Sequence, residues 1–290
     1  MNASKQKILI QLDSDPQASV FDAVTAIDAG VDHLLQHANV RVEDMRNLVY
    51  GAIFTRGIDD LRSTAIFVGG SDVAAGEALF AEALRTFFGP MRVSVMLDSN
   101  GANTTAAAAV LAAARHVALA GATALVLAAT GPVGRRVVHL LAGQGAVVRA
   151  GSRVAERAQT VCEAVARRFP GARLSAHGTA TPEATLAAAQ GAQVVIAAGA
   201  PGALLMTAES RRQCRQLAVA VDLNAVPPAG LEGIDPRDQA VQRDGAICYG
   251  AIGVGGTKMK IHKAAIRALF EANDRVFDVD EIFALGRSLP

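Results

Sequence analysis

The chain has no tryptophan, two tyrosines, ten phenylalanines and only three cysteines in 290 residues. An odd cysteine count with no close pair, at Cys162, Cys214 and Cys248, argues against a disulfide framework and fits a reducing cytoplasm. Charge of one sign is also missing. Lys plus Arg is 28 and Asp plus Glu is 27, a net of +1, which excludes a surface built to neutralise the phosphates of a nucleic acid. No apolar run reads as a membrane span, because the uncharged window 117–134 is punctuated by Gly121, Thr123, Thr130, Gly131, Pro132 and Gly134 like a strand and its turn. The opening MNASKQKILIQLDSD lacks the apolar stretch and cleavage site of a secretory signal, so a cytoplasmic protein is expected. Hydrophobic residues at 51% against charged residues at 19% describe a globular chain and not a disordered one.

At ~150 residues per domain the length suggests about two domains. Short β-rich runs alternate with helical runs, the signature of layered α/β architecture with parallel strands. KILIQL at 7–12, TAIFVG at 64–69 and RVSVML at 92–97 read as strands, with a helix from Ala74 to Phe88 between the last two. A helix over Thr104–Arg115 leads to a boundary near 115–120. The Ala run at 106–114 is helix, since alanine is the best helix former. A second series places strands at 124–128, 145–149, 173–176, 193–197 and 217–222, with helices at 133–143, 155–169 and 182–190. Five strands with crossover helices suggest a doubly wound nucleotide-binding sheet. The fold class expected is therefore α/β, a Rossmann-type doubly wound parallel sheet over 118–255 plus an N-terminal α/β domain over 1–117. The tail 256–290, with an amphipathic stretch from Ala264 to Glu271, is expected to return to and complete the N-terminal domain.

Ala129-Thr130-Gly131-Pro132-Val133-Gly134 follows an apolar strand and opens a helix whose Val133, Val137, Leu140 and Leu141 share a face, the context of a dinucleotide loop. Gly131 would let backbone approach a pyrophosphate, Gly134 would let helix and strand pack closely, and the helix N-terminus would add amides and positive dipole. Ala129 stands where the motif has its first glycine, which requires a negative φ there. The next strand ends at Gly151-Ser152-Arg153, where an NAD site would carry an acid for the ribose hydroxyls. Ser152, Arg153 and Arg157 favour the 2′-phosphate of NADP, with NAD less favoured, because guanidinium grips phosphate as a fork. The bland alternative is two solvated arginines. Ala198, Gly199 and Asn224, just past two later strands, are expected beside the same cofactor.

With this loop placed, PQASVFDAV at 16–24, STAIFVGGSDVAAGE at 63–77, MLDSNGANTTAAA at 96–108, LNAVPPAGLEGID at 223–235 and GAIGVGGTKMKIHK at 250–263 become informative. Together they closely resemble the bacterial NAD(P)-dependent methylenetetrahydromethanopterin dehydrogenases, some of which also use methylenetetrahydrofolate. The resemblance spans essentially the whole chain. It implies a homo-oligomer, a Rossmann domain beside an α/β domain whose cleft takes a tetrahydropterin one-carbon carrier, and reversible hydride transfer from the methylene carbon bridging N5 and N10 to C4 of a nicotinamide.

Against that background the polar cluster after strand 92–97 has two readings. Asp98, Asn100, Thr104 and Thr105 can meet the planar amide and amino edge of the pterin, with the threonines favoured over Ser99, or they can be an Asx turn and helix cap. Lys258 and Lys260 alternate with Met259 and Ile261, so extended backbone would put both amines on one side, with His262 beside them. The resemblance favours Lys258 and His262 as pterin-binding residues over a solvated basic edge. In a chain so poor in rings Phe21, followed by Asp22, is a candidate platform for the pterin, though core packing would explain it too. His33 and His37 have the i, i+4 spacing of a metal pair but no third ligand, so no metal is expected and both are assigned to surface or packing. No nucleophile and base stand out, and none is needed: the methylene carbon is left as a cation shared by two nitrogens without proton transfer, so orientation and electrostatic matching suffice. The rivals are a shikimate-dehydrogenase-like NADP hydroxyl oxidoreductase, which needs a proton-transfer residue, and a non-catalytic NADP-binding sensor.

Overall fold

The computed structural model describes residues 5–290; Met1–Ser4, the first residues of the N-terminal stretch read above, lie outside them. In chain order the elements are β1 (Ile8–Leu12), α1 (Val20–Asp28), β2 (His33–His37), α2 (Met45–Ile53), β3 (Thr64–Val68), α3 (Val73–Thr86), β4 (Ser94–Leu97) and α4 (Ala102–Ala114). They continue as β5 (Thr123–Leu127), α5 (Pro132–Gly143), β6 (Val147–Ser152), α6 (Ala155–Arg168), β7 (Arg173–Gly178), α7 (Pro182–Ala189), β8 (Val194–Ala197), α8 (Ala208–Arg212) and β9 (Val219–Asp222). Last come β10 (Gln239–Arg243), β11 (Ala246–Tyr249), α9 (Ala251–Ala268), β12 (Val276–Phe277) and α10 (Val279–Ser288). The chain divides into two compact units, one of 1–104 with 259–290 and one of 105–258, so both cuts fall inside helices, α4 and α9.

The first unit is a five-stranded sheet in the order β12-β4-β3-β1-β2, parallel throughout. β3 and β4 are buried along their whole length, as expected of strands covered by helices on both faces. Ser19 caps α1 by accepting from the Asp22 amide, and Asp72 caps α3 by accepting from Ala74 and Ala75, each satisfying donors that a helix start leaves open. The C-terminal segment completes the sheet: Val276 and Phe277 pair with Val95 and Met96. Asn103 Nδ2 holds this edge by donating to Leu97 O at 2.6 Å and Asp278 Oδ1 at 3.0 Å.

The second unit is a seven-stranded sheet, β10-β11-β9-β8-β5-β6-β7, parallel except for the antiparallel pair β10 and β11. It is doubly wound, with order reversing between β5 and β8, the switch point where such sheets bind ligands. Pro132 and Pro182 occupy the first positions of α5 and α7, where a missing N–H costs nothing.

Several expectations are corrected. Lys258 and Lys260 are not on extended backbone: they belong to α9, which takes in the amphipathic stretch from Ala264 as far as Ala268. Helical geometry separates Lys258 from Lys260 and brings Lys258 and His262 to one face, one turn apart. His33 and His37 lie on β2, where four residues span about 13 Å, so their helical spacing has no meaning. β2, β10, β11 and β12 carry too little alternation to be legible beforehand. Among the described residues no helix is long and apolar enough to cross a membrane.

Candidate functional site

In the second unit the chain leaves β5 through Ala128 at φ +55°, a left-handed step that costs an alanine roughly 1–2 kcal/mol. Ala129 is not among the left-handed residues, so the requirement placed on it is met by moving the strained step one residue earlier. Gly131 then takes extended backbone as the N-cap of α5. Its neighbour glycine differs in kind. A Cβ on Gly134 would run into Ala128 O and lie 2.8 Å from Ala129 Cα, whereas one on Gly131 would find Ala128 O at 3.6 Å and Ala198 O at 3.8 Å. Gly134 is demanded by packing of helix on strand. Gly131 leaves space that the protein itself does not need, beside Thr130 and the first-turn amides of Val133 and Gly134, which have no acceptor within the helix.

Beyond the strand ends lies a cleft of about 380 Å³ lined by Ala128, Arg153, Thr179, Thr181, Gly199 and Leu204, among others. Ser152, at the end of β6, is buried, and its Oγ accepts from Val154 N at 3.3 Å, leaving its own proton to donate. The Arg153 guanidinium is exposed and makes no hydrogen bond or ion pair with another described residue. Arg157 is likewise exposed on the first turn of α6 but does not line the cleft. Ala128, at the exit of β5, and the unengaged Arg153, at the exit of β6, therefore line one cleft beyond the strand ends, a set whose chemistry fits a phosphate group. Asn224 is buried and engaged in its own loop, donating to Pro228 O and accepting from Val226 N, both at 2.9 Å. Asp222 supports that loop from beneath by accepting from the amides of Asn224 and Leu231, although burial pushes its carboxyl above the ordinary value. Sequence reasoning missed Thr179 and Thr181; the available signal was Thr181-Pro182, a helix start placed after the strand adjoining Arg153.

In the first unit the polar residues gather outside the carboxyl ends of β1, β3 and β4. Asp98 is buried and makes the contacts of a local turn: Oδ1 accepts from Thr104 N at 3.0 Å and Oδ2 from Thr104 Oγ1 at 2.7 Å. His262, fully buried, places Nδ1 at 3.8 Å from Asp98 Oδ2 and stacks on Phe67, with ring centroids 5.5 Å apart and planes at 20°. Phe21, half exposed at the start of α1, lies 6.4 Å from the His262 ring. Asp22 approaches Gly69, where an added Cβ would be 3.3 Å from Asp22 Oδ2. Asn100 is exposed with φ +53°. This unit thus links an exposed ring, Phe21, to a buried histidine and a buried carboxylate. Thr105 and Lys258, both half-buried, fall just across the division of the chain.

Residues 20–100 match the family pattern described as "Methylene-tetrahydromethanopterin dehydrogenase, N-terminal". The chain is 43% identical over 286 residues to the "Bifunctional protein MdtA" of Methylorubrum extorquens AM1, covering 98% of this chain and 99% of that protein. It is 32% identical over 278 residues to the "NAD(P)-dependent methylenetetrahydromethanopterin dehydrogenase" of the same organism, covering 93% of each. Among solved structures, shikimate 5-dehydrogenase from Listeria monocytogenes superposes with a TM-score of 0.55 at 12% identity, over 97% of this chain and 96% of that one, a likeness of fold alone.

Proposed function

Because the chain belongs to the methylenetetrahydromethanopterin dehydrogenase family, we propose that it oxidises a methylene-tetrahydropterin to the methenyl form with NADP. The observation that carries the cofactor half is the Arg153 guanidinium, unengaged in the lining of a cleft that also takes in Ala128, the residue before the glycine turn. Arginine there suits the 2′-phosphate, since a planar fork of donors matches its oxygens, and no acid stands in its place to bind the ribose hydroxyls. The bound nicotinamide supplies a hydride acceptor.

The chain's residues bind and orient. Gly131 and the α5 start receive the pyrophosphate, and Ser152 and Arg153 the 2′-phosphate. The pterin is taken by Phe21, Asp22, Asn100, Thr105 and Lys258. Asp98, Thr104 and His262 act behind them: Asp98 and Thr104 hold the β4–α4 turn, and His262 lies behind Phe21. Loss of hydride leaves the carbon positive, stabilised by its two nitrogens, so no residue has to move a proton. The shikimate-dehydrogenase-like reading would need such a residue and draws only on fold likeness. Three free, buried cysteines suit a reducing cytoplasm.

The test is a spectrophotometric assay with methylene-tetrahydromethanopterin and methylene-tetrahydrofolate against NADP and NAD. Methenyl product is expected with NADP. Its absence from all four combinations overturns the reading.

A further inference from the structure

We infer that Thr179 is a specificity-determining residue for the cofactor, its hydroxyl donating to the 2′-phosphate alongside Arg153. This rests on the NADP reading above and extends it to a residue on a different strand.

The placement follows from the sheet. β6 and β7 pair in parallel with Ser152 opposite Gly178, so the residues that follow, Arg153 and Thr179, leave the sheet side by side. The Thr179 amide fastens this exit by donating to Ser152 O at 2.8 Å. Its methyl is seated at the one place where the neighbouring strand has no side chain: a Cβ built on Gly151 would lie 3.0 Å from Thr179 Cγ2. With Cγ2 held there, Oγ1 occupies another staggered position. Thr179 lines the same cleft as Arg153, and its hydroxyl makes no hydrogen bond to another described residue. A donor held by a packed methyl, one strand from an unengaged guanidinium, is what a phosphate monoester requires: a directional neutral hydrogen bond beside a charged one.

Thr181 lines the cleft too but is already engaged. Its Oγ1 accepts from Ala184 N at 3.2 Å as the cap of α7. That bond fixes the Thr181 oxygen at the start of α7, whereas the Thr179 oxygen is committed to no described residue.

The experiment titrates 2′,5′-ADP and 5′-AMP by calorimetry into the parent protein and into Thr179→Val and Thr179→Ser. Valine keeps the methyl against Gly151 and removes the hydroxyl; serine keeps the hydroxyl and removes the methyl. Thr179→Val should bind 2′,5′-ADP about tenfold more weakly, the worth of one hydrogen bond to a charged group, with 5′-AMP affinity unchanged. Thr179→Ser should bind both as the parent does. If valine keeps the parent's affinity for 2′,5′-ADP, or weakens both nucleotides equally, or if serine loses as much as valine, Thr179 does not read the phosphate. A parent that fails to prefer 2′,5′-ADP over 5′-AMP overturns this inference and the NADP assignment together, while methenyl product formed with NAD would still uphold the pterin reading. The expected nucleotide pattern without methenyl product would leave Thr179 assigned and remove the dehydrogenase.

Discussion

Asp98 takes both donors that Thr104 can offer, the amide at 3.0 Å on one oxygen and the hydroxyl at 2.7 Å on the other. The pair closes the turn from β4 into α4 and presents nothing outward, since both residues are buried. Asp98→Ala should therefore destabilise the protein by about 3 kcal/mol, as two hydrogen bonds to a buried charge are lost. Urea unfolding measures it. An unchanged midpoint accompanied by loss of pterin binding would instead make Asp98 a substrate group.

Arg153→Ala should weaken NADP binding by about 1.5–3 kcal/mol, the range for a hydrogen bond to a charged group, and leave NAD nearly untouched. Titration of both cofactors against both proteins decides it. Equal weakening would mean that Arg153 supports structure and does not read the phosphate.

The two glycines of the turn should part company on substitution. Gly134→Ala forces a methyl into the Ala128 and Ala129 backbone and should cost about 3 kcal/mol of stability, at the upper end for overpacking. Gly131→Val should fold, because the nearest atoms to its Cβ are 3.6 Å or more away, yet fail to bind NADP. A folded Gly131→Val that binds as tightly as the parent removes the pyrophosphate from this turn.

Lys258→Ala should raise KM for the pterin and lower kcat/KM, with NADP affinity near that of the parent, as for a residue that binds and aligns. The pH profiles of the two proteins should keep the same inflections. An inflection that vanished on substitution would identify a general base and revive hydroxyl oxidation.

His177 on β7 is held below the ordinary imidazole value by partial burial and then by Arg149. The sign follows. Above about pH 7.5 it is neutral folded or unfolded; as pH falls through about 6.5 the unfolded chain takes a proton that the folded one resists, so stability declines. His177→Gln should lose less stability than the parent between pH 7.5 and 5.5 by urea unfolding. Equal losses would show that this imidazole has no part in the slope.

The buried strands and the β5 turn were legible in the sequence because their information is local. ALVLAATGPVG carries the apolar run, the turn glycine and the helix-opening proline within one short segment, and Arg153 follows at the spacing that a strand–helix–strand unit sets. What the sequence left undecided depends on partners far along the chain. β12 is two residues long, too short for any periodicity, and exists because β4 offers it an edge. Thr179 is unremarkable until β7 pairs with β6 and sets it beside Arg153. The segment from Gly250 to Lys263 carries four glycines, at 250, 253, 255 and 256, and glycine disfavours helix by about 1 kcal/mol each, so local preference points to irregular or extended backbone. Yet a Cβ at Gly250 would strike Asp235 O and one at Gly253 would strike Asp238 O. Their missing side chains allow the start of α9 to lie directly on the 235–239 backbone, and that close packing outweighs propensity. The sequence alone thus determined the buried parallel strands and the glycine turn after β5; tertiary packing decided that Lys258 shares a helical face with His262, because only contact with the 235–239 backbone makes so glycine-rich a segment helical.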